Sequence, residues 1–387
     1  MSTKVSRREI LFGAALVSLV AGKGPPKTDK RRELPTADLL QVNDLDRRIW
    51  QYELEEFVPS RLYDMHTHLS RAEFNLDPKS RYAAQIWTDP SATFDQHGSL
   101  ELLSSVEKLL SPGRTVEHLL MPDPYEKFDF AGANEFIALQ AKKKPGTRAL
   151  MVVHPKMTAL DIEKSVTKHR FVGFKPYLWY ATVKDLWEAH ISDFMPERQL
   201  AVANRYGLIV GLHLSKKRGI ADPENLDDLE RLIDKYPRVK WILYHNARSY
   251  SAWAIEEAAQ RLHRLPNIWI ETSSVCESAA FDASFSIIPK DRLMYGSDDF
   301  SVGITRGKYV PWGYGWAQMD RKNQTFQVDH CDGRLTFVRY EMLRAMRRAA
   351  KNQRFTKQEI EDLFYNNGER LIVSAWKDLN DALESNA

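Results

Sequence analysis

Cysteine is nearly absent: the 387 residues hold two, Cys276 and Cys331, and no CxxC pair. Thiolate metal clusters are thereby excluded, and any bound metal must be held by histidine and carboxylate. No GxGxxG loop follows an early strand, which argues against a doubly wound dinucleotide fold. Long apolar runs are also missing, since the clearest one, residues 11–21, is too short and too glycine-bounded to span a membrane comfortably. Excess charge is confined to the start of the chain. Of a net +3, residues 1–32 contribute eight Lys/Arg against Glu9 and Asp29, so the remainder is slightly acidic. That balance excludes a nucleic-acid footprint. With 43% apolar and 28% charged residues, the composition is that of a globular protein able to bury a large core.

What is present is organised around Arg61-Leu62-Tyr63-Asp64-Met65-His66-Thr67-His68-Leu69. The stretch reads as a short buried strand that delivers two imidazoles at its C-terminal end. Side chains alternate along a strand, so His66 and His68 share a side and can hold one cation between them. From residue 115 a unit recurs: an apolar strand, a polar residue at its end, a helical pattern. Strands are expected at 61–65, 115–121, 148–153, 171–175, 208–213, 239–245, 267–271 and 292–295, with helices among them at 134–143, 161–169, 196–206, 225–235 and 252–262. Such alternation implies a parallel sheet with right-handed crossovers, and eight units of this size give an α/β fold, the (β/α)8 TIM barrel. Catalytic groups in that barrel sit where strands end. Here those ends carry His66 and His68, Lys175, His213, His245, Glu271 and, after Gly296-Ser297, Asp298.

His-x-His after the first strand, single histidines after the fifth and sixth, and Gly-Ser-Asp after the eighth resemble the amidohydrolase superfamily, specifically its amidohydrolase-related (amidohydrolase 2) branch of metal-dependent barrels. The likeness runs from Arg61 to Val373 and includes Ile360-Glu361-Asp362-Leu363-Phe364-Tyr365-Asn366-Asn367-Gly368-Glu369-Arg370-Leu371, which is similar to that family's closing helix. The resemblance implies that His66, His68, His213 and Asp298 bind one divalent metal, usually zinc, with His245 beside the reacting group. It also selects Asp298 over the adjacent Asp299. Neutral imidazoles and a carboxylate suit zinc, and an open position lets a bound water drop to a pKa of about 7. Asp298 and His245 are then the expected catalytic residues, Asp298 accepting the water's proton and His245 hydrogen-bonding or protonating the substrate. Some relatives bridge two metals with a carbamylated lysine on the fourth strand, which makes Lys175 the bridging residue of a binuclear alternative. Phe174-Lys175-Pro176-Tyr177 looks more like the mononuclear branch.

Arg248, Tyr177 and Trp312 are candidate contacts to a small-molecule substrate, with residues 308–316 read as a glycine-spaced aromatic loop that forms a lid. The expected activity is hydrolysis of an amide, lactone or ester. Two alternatives stand beside it: non-oxidative decarboxylation of an aromatic or unsaturated acid on the same ligands, and a periplasmic metal- or ligand-binding protein without turnover. The last is disfavoured because Asp298 and His245 are both retained. Ser6-Arg7-Arg8-Glu9-Ile10-Leu11 before the apolar run resembles a twin-arginine export signal, implying the export machinery as a partner and a periplasmic location. The chain thus divides into a signal (1–24), a linker and helical lead-in (25–60), the barrel (61–375) and a tail (376–387). A homo-oligomer is compatible with this reading.

Overall fold

Eight parallel strands run in the order β1 (Arg61–His68), β2 (Thr115–Met121), β3 (Arg148–Val153), β4 (Gly173–Pro176), β5 (Ile209–Leu212), β6 (Lys240–Leu243), β7 (Ile268–Glu271) and β8 (Leu293–Met294). The computed structural model describes residues 40–77, 98–319 and 330–385. The expected export signal and most of the linker lie outside the described residues. Helices intervene between strands, so the (β/α)8 barrel is the observed architecture. One of these helices, Pro223–Lys235, shows why the sequence folds this way. The Asp222 side chain caps Glu224 N, proline opens the first turn, and Leu226, Leu229, Leu232 and Ile233 form one buried stripe. Each such side chain contributes about 1.5–3 kcal/mol on burial.

Two features of β1 place the site. Arg61 to Asp64 pair with Thr115 to His118, but Thr67 and His68 pair with Leu120 and Met121, so β1 carries one extra residue. This is a β-bulge, the device that re-aims side chains at a barrel rim. The Asp64 carboxylate pins it, accepting from His66 N at 3.1 Å and from Ser297 N at 2.9 Å. The second feature is the seam. β8 is only two residues long, and beyond it the chain continues alongside β1: Met65 N donates to Tyr295 O (3.0 Å), Asp298 N to His66 O (2.9 Å), His68 N to Asp299 O, and Phe300 N to His68 O (3.2 Å). The ring therefore closes through the same residues that carry His66, His68 and Asp298.

Tyr63, Met65, Leu119, Met121, Leu150, Val172, Ile209, Ile242 and Met294 fill the interior, joined by Tyr365, Leu371, Ile372 and Ala375 of the final helices. The helix Asn367–Glu384 continues through residue 376 and buries Leu379. Residues 308–316, expected as a loop, instead form an antiparallel hairpin of β9 (Lys308–Trp312) and β10 (Gly315–Met319), turned at Gly313 with φ +51°. Among the described residues no helix is long and apolar enough to cross a membrane.

Candidate metal centre

The β1 bulge brings His68 Nε2 to 3.0 Å from His66 Nε2. The seam adds Asp298, whose Oδ1 lies 3.3 Å from His68 Nε2 and 3.6 Å from His66 Nε2. On the other side, just beyond β5 and β6, His245 Nε2 lies 2.9 Å from His213 Nε2. Two donor groups result, one of His66, His68 and Asp298 and one of His66, His213 and His245, each with its atoms within 4.8 Å of one another. Nitrogens bound at ~2.0–2.1 Å to one tetrahedral ion stand about 3.3–3.4 Å apart, so this donor spacing is of the right order for a divalent cation. His66 belongs to both groups. His245, expected to face the substrate, has donor spacing as close as that of His213.

The imidazole tautomers follow from what lies behind them. His66 Nδ1 faces Ser273 Oγ (3.0 Å) and Glu271 Oε2 (3.3 Å), and His245 Nδ1 faces Ser273 Oγ (3.0 Å) and Ser273 O (3.3 Å). Ser273 Oγ donates its own proton to Glu271 Oε2 at 2.9 Å, so it is left as an acceptor toward both rings. The network therefore assigns the proton to Nδ1 in each ring and turns the Nε2 lone pairs toward the centre. Glu271 also accepts from Ser273 N (2.6 Å) and His245 N (3.2 Å). Gly296 is required here, because a Cβ would come 2.0 Å from Glu271 Oε1 and 2.9 Å from the His66 Cβ. Removing the shared hydroxyl in Ser273→Ala is expected to lower metal affinity about 10–100-fold, the usual effect of losing a partner behind a ligand, as measured by chelator competition.

Burial sets the charge states. It holds His66 and His213 well below the ordinary imidazole range and His245 down at about 4, so all three imidazoles are neutral at neutral pH. Burial acts to raise Asp298, but the His66, His68 and His245 imidazoles outweigh it and hold this carboxyl below the usual range. Ser274 Oγ donates to Asp298 Oδ2 at 2.8 Å, leaving Oδ1 toward the histidines. Asp299 turns the other way, its Oδ2 on Arg339 at 2.9 Å, so the geometry separates the two adjacent aspartates. Lys175 is fully buried at the end of β4 with no hydrogen-bond partner at Nζ among the described residues, and Nζ sits 4.0 Å from the Tyr177 ring and 4.7 Å from the Tyr244 ring. Desolvation pushes its amine down to about 7.

A cavity of about 270 Å³ opens onto these groups, walled by Tyr177, Trp179, Arg248, Tyr250, Tyr309 and Trp316 with His68, His213, His245 and Asp298 at its base. Trp312 is not among the lining side chains. It is 60% exposed on the hairpin, and Trp316 from the opposing strand takes the expected place, its ring 4.1 Å from that of Tyr250. Arg248 reaches the wall through an unusual backbone. His245, Asn246, Ala247 and Arg248 all have φ of 55–61°, a left-handed turn directly after β6. Left-handed backbone costs about 1–2 kcal/mol per non-glycine residue. The turn is held by Asn246, which donates to Ser249 O (3.2 Å) and Ala280 O (3.4 Å) and accepts from Ser284 Oγ (2.5 Å). Arg248 Nη1 donates to Leu214 O (3.1 Å) and Lys216 O (2.8 Å), and its guanidinium lies over Trp187 at 4.7 Å. No carboxylate among the described residues pairs with it.

Ser273, Ser274 and Tyr250 were not singled out from the sequence, and Trp316 only as part of the expected lid 308–316. The two serines follow β7 directly after Glu271 and Thr272, so the strand-end rule that selected Glu271 would have reached them if carried three residues further.

A family model described as amidohydrolase matches residues 63–372. Among solved structures, the chain is similar to a dihydroxybenzoic acid decarboxylase from Polaromonas sp. JS666 with bound manganese and the inhibitor 2-nitroresorcinol (15% identity, 81% of this chain and 97% of that chain, TM-score 0.51). It is also similar to 4-oxalomesaconate hydratase from Rhodopseudomonas palustris (17% identity, 84% and 98%, TM-score 0.51) and to a 2,6-dihydroxybenzoate decarboxylase in complex with 2,6-dihydroxybenzoate (12% identity, 81% and 100%, TM-score 0.52). At these identities the likeness shows a shared fold. No curated protein matches the chain.

Proposed function

Because the chain belongs to the amidohydrolase family, we propose that it is a metal-dependent enzyme acting on a small planar carboxylic acid, with non-oxidative decarboxylation as its reaction. The observation that carries this reading is Arg248: a partly buried guanidinium in the wall of the cavity that the donor groups also line, and without a carboxylate partner among the described residues. A charge so placed is stabilised by an anionic ligand, and a guanidinium fork matches a carboxylate. The walls of Tyr177, Tyr250, Tyr309 and Trp316 suit a flat conjugated body. His66, His68, His213 and Asp298 would hold one divalent ion, for which three imidazoles and a carboxylate favour zinc. The ion supplies Lewis acidity that draws electron density from a substrate oxygen.

The residues do the rest. Decarboxylation breaks the bond to the carboxylate carbon and leaves its electron pair on the neighbouring carbon, which must then receive a proton. Asp298, ionised at rest and open to the cavity through Oδ1, would first take a proton from a water or a substrate hydroxyl and then pass it to that carbon as carbon dioxide leaves, ending ionised again. His245 is neutral with its proton turned toward Ser273, so in the resting site its Nε2 accepts rather than donates. Hydrolysis of an amide, lactone or ester is the second reading, and it rests on the same Asp298 acting as base toward water. The test is a screen of the metal-loaded protein against hydroxybenzoates and unsaturated acids, read as carbon dioxide release, beside lactones and amides, read as acid release. Arg248→Gln should raise KM for a carboxylate substrate about 10–100-fold, matching the loss of a charged hydrogen bond worth about 1.5–3 kcal/mol, with metal content unchanged. Turnover of neutral lactones alone, indifferent to Arg248→Gln, would remove the decarboxylase reading.

A further inference from the structure

The seam that closes the barrel is tied to two helices by a buried charge cluster outside the site. Arg339, in the first turn of the helix Val338–Asn352, is fully buried. Its Nη1 donates to Asp299 Oδ2 (2.9 Å) and Glu107 Oε1 (3.1 Å), and its Nη2 to Glu107 Oε2 (2.8 Å) and Ser111 Oγ (2.9 Å). Glu107 lies on the helix Leu100–Leu110, ahead of β2, and is itself buried. Asp299 stands at the junction. Its main-chain oxygen accepts from His68 N, its N donates to Ser297 Oγ (3.0 Å), and its neighbours on the chain are Asp298 and Phe300, whose N–H groups bond His66 O and His68 O. Packing around the cluster is tight: at Gly303 a Cβ would lie 2.2 Å from Asp299 Oδ1, and Gly303 O accepts from Arg339 N at 3.0 Å.

A buried guanidinium shared by two carboxylates is rigid, since moving either partner leaves a charge uncompensated in a low-dielectric interior. Sliding the seam by a fraction of an ångström would change the Asp298 Oδ1 distances to His66 and His68 directly, because all three ride on the same run of main-chain bonds. We propose that Arg339 and Glu107 are positioning residues that set Asp298 against His66 and His68, and so fix the affinity and coordination geometry of the metal centre without touching it. The inference rests on the reading of this site as a metal centre.

The test compares the full-length wild-type protein with Glu107→Gln and Arg339→Lys. Zn2+ affinity is measured by chelator competition, the visible absorption of the Co2+-loaded protein reports coordination geometry, and thermal melts of the metal-free forms report folding. The expected result is a folded variant whose Zn2+ affinity is about 10–100-fold lower and whose Co2+ bands are shifted. If Arg339→Lys does not fold, Glu107→Gln, which keeps the side-chain shape and the guanidinium, carries the test. Folded variants with wild-type affinity and superimposable Co2+ spectra would overturn the inference while leaving the metal centre standing. A wild-type protein that takes up neither ion would overturn both.

Discussion

His66→Ala is expected to strip the protein of nearly all bound metal. The structure gives the reason in the overlap of its two donor groups: His66, His68 and Asp298 form one, and His66, His213 and His245 the other, so a single replacement breaks both. The loss should exceed the 10–100-fold that follows from removing a hydrogen-bond partner behind a ligand, since here the ligand itself goes. His66 is also fully buried, with its ring 4.1 Å from that of Tyr244, and truncation leaves a hole there. Thermal denaturation of the metal-free forms should therefore accompany elemental analysis of the purified protein. A folded His66→Ala protein that keeps its full metal content would mean that the cation is held elsewhere.

Asp298→Asn is the second large effect, and its signature differs. The amide keeps one oxygen and the shape of the side chain, so a good part of the metal should remain. The group that carries a proton is lost, and the rate should fall by about 10²–10⁴, or about 3–5 kcal/mol of barrier. His245→Asn separates the roles further. If His245 acts only on substrate, its metal content stays close to wild type while turnover drops comparably. Equal metal loss in both variants would make His245 a ligand, as its 2.9 Å approach to His213 Nε2 allows.

The barrel was legible in the sequence because its strands are buried on both faces and read as near-continuous apolar runs. The strand-end residues followed from it, with the family resemblance choosing Asp298 over Asp299: His66, His68 and Asp298 form one donor group and His66, His213 and His245 another. Less was legible where one residue decides a direction. The β1 bulge has no composition of its own, so the sequence places the His-x-His pair at a strand end but not its register against Leu120 and Met121. Ser273 and Ser274 look like ordinary turn residues, and only the fold shows one hydroxyl serving two imidazoles. The hairpin is the clearest miss. Taken as a loop, it favoured Trp312; taken as a strand, period two places Tyr309 and Pro311 on one face with Trp316 opposite Pro311, and Trp312 on the other. The Tyr309 and Trp316 rings, 5.0 and 4.1 Å from that of Tyr250, follow that face.

The seam between β8 and β1 also has a consequence for how the protein is made. His66 and His68 leave the ribosome more than two hundred residues before Asp298, and they stay in separate parts of the chain until the last strand docks against the first. A contact of such sequence separation forms late, because the whole intervening chain must be ordered before it is rewarded. A cation that bridges the two sides would then act as a clasp on the finished ring, adding stability as RT ln(1 + [L]/Kd) only to the closed state. In hydrogen-exchange experiments on the metal-free protein, the amides of Met65, His68, Asp298 and Phe300, all bonded across this junction, should be among the first of the strand-end amides to exchange, and metal should slow them more than the amides between β3 and β6.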